Sequence, residues 1–184
     1  MNFGDILTRY ESRTGAPVTR SYLSALIDEA QIEIAKRYGE RSREEFYSVE
    51  RGEEYDLPSD HLRTEEVRDG DKRLVSDYQI TPDGMIVFPA DGDYTLIYTR
   101  MPRLINSEDN DSEPDVHSMF HGMIVQYCVA KWWEDHSEGI PAEEAKAERM
   151  MNEFYRKVDE AAHVLKQRAF ANRRMGIHPI VRGY

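Results

Sequence analysis

Tyr55-Asp56-Leu57-Pro58-Ser59-Asp60 opens a run of strand-like segments that closes on Tyr98-Thr99-Arg100-Met101-Pro102. Pro58 cannot donate to a strand ladder and holds Leu57 in extended geometry, so Leu57-Pro58-Ser59-Asp60 reads as a turn. Before it, Phe46–Val49 and Glu54–Leu57 read as short strands around an Arg51-Gly52 turn. After it, Leu62–Val67 and Arg73–Val75 flank Asp69-Gly70-Asp71, a hairpin signal. Tyr78–Ile80 and Met85–Phe88 flank Pro82-Asp83-Gly84 in the same way. Asp91-Gly92-Asp93 leads into Tyr94–Thr99, where Tyr94, Leu96 and Tyr98 share one face and Thr95, Ile97 and Thr99 the other. Turns at this spacing predict a small antiparallel sheet of about four to six strands.

Outside this block the apolar period changes to that of helices. Phe3, Ile6, Leu7 and Tyr10 predict a short helix over residues 2–12, ended by Gly15-Ala16-Pro17. Tyr22, Leu23, Leu26, Ile27, Ala30, Ile34 and Tyr38 predict a second, capped by Thr19 or Ser21. Residues 106–114 form a polar acidic loop, whose acids suit the start of a following helix. That helix is expected from about Asp115 to Ser137, and the break at Gly139-Ile140-Pro141 starts another. Ala147, Met150, Met151, Phe154, Val158, Ala161, Ala162, Leu165 and Ala169 give the last helix the clearest 3.6-residue period in the chain. The short link makes the two long helices an antiparallel pair. The expected fold is therefore α+β, mainly α. It is a helical bundle of two N-terminal and two long C-terminal helices with an inserted small antiparallel β module and an extended C-terminal arm. As one domain it divides into the N-terminal helices (1–44), the β module (45–104), the acidic loop and long helix pair (105–172) and the arm (173–184).

The 184 residues are 40% hydrophobic and 32% charged, the balance of a folded protein rather than a disordered one. The apolar runs are too short to span a membrane, and the N-terminus lacks the pattern of a secretory signal. Cys128 is the single cysteine, which points to a reducing compartment. From Ala161 onward there is no acid, but there are Lys166, Arg168, Arg173, Arg174 and Arg182. The whole chain is −11 and this tail +5, which leaves −16 on residues 1 to 160. A body this acidic repels phosphate backbones and argues against a dedicated nucleic-acid binder. A basic end on an acidic body suits docking on an acidic neighbour, although cations near a helix C-terminus are favourable in any case.

No catalytic set emerges. His117 and His121 stand one turn apart on the expected third helix, a spacing zinc can use. Ser118 occupies the place of a zinc-protease glutamate, and no third ligand is evident, so two polar rings at a helix start are the simpler reading. Cys128 sits mid-helix with no histidine beside it in sequence and reads as an inert thiol. No phosphate-binding glycine loop occurs, and no carboxylate pair stands out. Trp132-Trp133 reads as packing or a subunit interface. The expectation is no catalytic residue, no metal and no cofactor.

The order of elements, with Leu57-Pro58-Ser59-Asp60 and Tyr98-Thr99-Arg100-Met101-Pro102, resembles the head–tail adaptor proteins (connectors, or head-completion proteins) of tailed bacteriophages over roughly residues 3 to 165. The resemblance implies a non-enzymatic structural protein of the virion neck, made in the host cytoplasm. Such adaptors form rings, typically of twelve subunits, beneath the portal protein. They extend the DNA channel without sequence-specific binding and give tail or tail-completion proteins a docking platform. It also implies that a C-terminal arm reaches into the portal, here through Arg173, Arg174, Ile177, Pro179, Ile180, Val181, Arg182 and Tyr184. Two other readings are a tail-side component, such as a tail terminator or tubular protein, and a metal-dependent hydrolase using His117 and His121.

Overall fold

The chain is described by a computed structural model over residues 1–174. It divides into two compact units, Met1–Arg37 with the residues from Leu104 on, and Tyr38–Arg103. The described residues form four α-helices and two small antiparallel sheets, a mixed α+β fold.

In the first unit, α1 (Phe3–Thr14) begins with a capping box. The Asn2 side chain accepts from the Asp5 amide at 2.9 Å, and the Asp5 carboxylate accepts from the Asn2 amide at 3.3 Å. Gly15 ends the helix at φ +70°, a conformation that costs a residue with a Cβ, and donates to Glu11 O. Phe3, Ile6 and Tyr10 form its buried stripe. α2 (Arg20–Tyr38) is capped by Thr19, whose hydroxyl accepts from Tyr22 N, and buries Leu23, Leu26, Ile27, Ala30 and Ile34.

The acidic loop does not serve the start of the next helix, as its charge suggests. Its carbonyls cap α1 instead: Phe3 N donates to Ser112 O at 2.8 Å and Gly4 N to Asn110 O at 3.0 Å. Arg20 donates to Ser107 O and to the Asn110 side chain, while its guanidinium lies over the Phe3 ring. The ends of the loop are held by α2, because Ile105 N donates to Asp28 and Asp115 N to Gln31. Burial pushes the Asp28 carboxyl up, although Ile105 N and the Gln31 side-chain amide both donate to it.

α3 (His121–His136) starts six residues later than the sequence suggests. Asp115 is held by Gln31, and Ser118–Phe120 form a 3-10 turn capped by His117. α4 (Pro141–Arg174) follows a short connection and carries its helix two residues beyond the expected end. Tyr127 meets Phe154 edge-on at 5.0 Å. Gln126 donates to Met150 O and accepts from Lys157. Trp133, further along α3 than Tyr127, meets Lys146, which precedes Phe154 on α4, so α3 and α4 are antiparallel.

The second unit differs most from expectation. Seven strands form two sheets rather than one: β1 (Arg41–Val49), β2 (Glu54–Asp56), β3 (His61–Asp69), β4 (Leu74–Val75), β5 (Gln79–Ile80), β6 (Met85–Val87) and β7 (Gly92–Arg100). The orders are β1-β7-β3-β4 and β2-β6-β5. The β3–β4 and β5–β6 hairpins form where the turn residues put them. β1 and β2 do not pair; β1 pairs with β7 and β2 with β6. β1 also starts at Arg41, because Arg41–Glu45 are polar on both faces and show no alternation, yet pair with β7 in full register. Val49, Val67, Ile86, Phe88, Tyr94 and Leu96 form a core fed by both sheets, with Phe88 stacked on Tyr94 at 4.3 Å. Each such side chain contributes about 1.5–3 kcal/mol on full burial.

Candidate interaction surfaces

The two sequence signatures of the β unit meet. The Tyr98 hydroxyl donates to Asp60 at 2.9 Å, and Met101 N donates to Asp60 O at 2.6 Å. His61 N closes the proline turn on Pro58 O. Arg100 donates to the Glu40 carboxylate at 2.7 Å, and its amide to Glu40 O. Pro58 sets the turn, Asp60 is aimed by it, and the end of β7 is fastened there. Burial, first of all, pushes the Tyr98 phenol up, and the Asp60 carboxylate adds to it. The sequence shows the two motifs only as separate turn and strand-end signals; no local spacing marks the bond between residues 38 positions apart.

A groove of about 770 Å³ runs between α3 and α4. Tyr127, Ala130, Ala147 and Met151 supply an apolar floor, and Glu134, Glu144 and Glu148 an acidic rim. Lys131 is engaged by Glu134 at 2.8 Å, whereas Glu144 and Glu148 form no ion pair among the described residues. No local stretch of the sequence marks this groove, because its lining comes from two helices. Trp133 lies beside it in sequence, with the Lys146 ammonium 3.3 Å from its ring centroid, and Trp132 stacks on His136. Both rings are half-buried on α3.

Further along α4, Leu165 is the last buried residue among those whose exposure is described, and residues 166–169 are exposed. Ala169, expected on the buried face, is among them. Val164 is 38% exposed. Lys166 and Arg168 form no ion pair among the described residues. Arg173 and Arg174 are the last two positions of α4. Their side chains, and Ile177, Pro179, Ile180, Val181, Arg182 and Tyr184, lie outside the described residues.

The candidate chemical groups are dispersed. His117 uses Nδ1 to accept from Met119 N at 3.2 Å. His121 is buried; its Nε2–H donates to Val116 O at 3.0 Å, leaving Nδ1 to accept from the Met1 ammonium at 3.1 Å. The two rings therefore serve separate backbone contacts rather than one site. No group of three or more His, Cys, Asp or Glu among the described residues is placed to hold a metal ion. Cys128 is wholly buried, which pushes its thiol well up and leaves no thiolate near neutrality. Nearby, Tyr22 donates a short hydrogen bond to Asp135. The Tyr10 hydroxyl is buried without a hydrogen-bond partner, and burial, with smaller effects from Cys128 and Asp135, pushes it up to about 12.

No curated protein matches the chain. Residues 1–178 match the family described as SU10 adaptor protein, a span that takes in both units and the joined Asp60–Tyr98 signature. The chain belongs to this family of phage head–tail adaptors.

Proposed function

We propose that the protein is a structural, non-enzymatic connector that assembles as a ring, of twelve copies, between portal and tail. The family match over residues 1–178 carries this reading. The four helices act as a bundle that forms the body of the ring, and the ring continues the DNA channel and offers a platform to tail or tail-completion proteins. Twelve copies of a −11 chain carry roughly −130, so genomic DNA passing an acidic wall slides without sticking. The arm, through Arg173, Arg174, Ile177, Pro179, Ile180, Val181, Arg182 and Tyr184, enters the portal. Its arginines pair with portal carboxylates and its apolar residues fill a groove that offsets the entropy of ordering, about 1–2 kcal/mol per residue. Among the described residues no helix is long and apolar enough to cross a membrane. The protein's place is the virion neck, after synthesis in the host cytoplasm.

The test is electron microscopy of the full chain mixed with its portal protein, beside a deletion of residues 173–184. The full chain is expected as a ring on the portal. The deletion keeps its helical circular dichroism and loses docking. Only monomers in the presence of portal, or unchanged docking by the truncated chain, would overturn the assignment of the ring or of the arm respectively.

A further inference from the structure

We propose that the α3–α4 groove receives the stretch of α4 from Val164 to Arg168 from a second copy of the chain. Val164 of that copy sits on the apolar floor, and Arg168 meets Glu144 and Glu148. The inference rests on the adaptor reading and names the contact between neighbours that the reading leaves open. Three observations carry it. First, the groove joins an apolar floor to two carboxylates that form no ion pair among the described residues. Second, this stretch of α4 has the matching pair: the exposed Val164 and Arg168 lie one turn apart on one face, with Lys166 adding to the positive charge. Third, the chain cannot fill its own groove from this end. Met151 and Val164 lie on one helix thirteen residues apart, roughly 20 Å at about 1.5 Å per residue. The contact is therefore between copies and uses two different surfaces. A contact of that kind propagates head to tail, and closes into a ring when the rotation allows.

The experiment places Met151→Cys and Val164→Cys in one full-length chain, assembles it on portal and oxidises it mildly. Cys128 is wholly buried and does not compete. Non-reducing gels should show a ladder of disulfide-linked multimers, absent from each single variant. Independently, Arg168→Glu should lower the yield of portal-bound rings several-fold, and Glu148→Arg added to it should restore most of the yield, with circular dichroism unchanged throughout. Rings that form on portal without a ladder, and that tolerate Arg168→Glu, would overturn this contact and leave the adaptor reading intact. Absence of any ring or portal binding by the unaltered chain would remove both.

Discussion

Phe154→Ala is the sharpest test of how the helical unit holds together. Phe154 is fully buried on α4, edge-on to Tyr127 of α3 at 5.0 Å and next to Tyr155 at 5.2 Å. Truncation removes the transfer free energy of the ring and leaves a cavity between two helices that cannot close on it, about 3–5 kcal/mol. The edge-on aromatic contact accounts for about 0.5–1.5 kcal/mol beyond the buried area, which favours the middle or upper part of that range. Trp132 and Trp133 lie on α3 in the same unit, so their fluorescence follows urea unfolding of this unit specifically. With a slope of about 2 kcal/mol per molar urea, the midpoint should fall by roughly 2 M. Phe154→Leu, which keeps most of the volume, should cost about 1 kcal/mol. Arg156→Ala, which loses only an exposed pair with Glu160, should stay within about 0.5 kcal/mol. A shift for Phe154→Ala no larger than that for Arg156→Ala would refute the claim that this seam is the packed one.

Two further outcomes are expected. Tyr10→Phe removes a buried hydroxyl without a partner, so stability near pH 7 should be unchanged or raised. The folded-state value of Tyr10, about 12, lies above its ordinary 10.0, so the native chain holds this proton where the unfolded chain releases it. Stability is intact below pH 10 and falls between pH 10 and 12 by up to about 1.4 kcal/mol per pH unit, and the variant should lose that part of the slope in denaturation series across the range. Tyr98→Phe removes the hydroxyl bond to a half-buried carboxylate and should cost about 1–2 kcal/mol, with faster hydrogen exchange at the Met101 amide; unchanged exchange would show that Asp60 holds the end of β7 without it.

The helices were readable because their information is local. Phe3, Ile6 and Tyr10 recur at the helical spacing, Gly15 ends α1, and Pro141 starts α4. The start of α3 was misplaced because Asp115 is held by Gln31 on another helix, a contact that no local window contains. The acidic loop misled for a related reason: its side-chain charges were visible, but its backbone carbonyls cap α1. The groove escaped notice because Tyr127 and Met151 become neighbours only when α3 folds back on α4. The arm of residues 173–184 rests on composition; its first two residues are the last of α4, and the others lie outside the described residues.

The strands divide the same way. Asp69-Gly70-Asp71 and Pro82-Asp83-Gly84 determined two hairpins by themselves, since a turn needs only a few consecutive residues with the right backbone freedom. Sequence alone also determined the mixed class of the fold, the absence of a phosphate-binding glycine loop and the segregation of charge toward the C-terminus. The pairing of β1 with β7, the split into two sheets and the Asp60–Tyr98 bond were decided by tertiary structure. Each joins residues about thirty to sixty positions apart, and choosing among such partners depends on which arrangement buries Phe88, Tyr94 and Leu96 together, a property of the packed core rather than of any one strand.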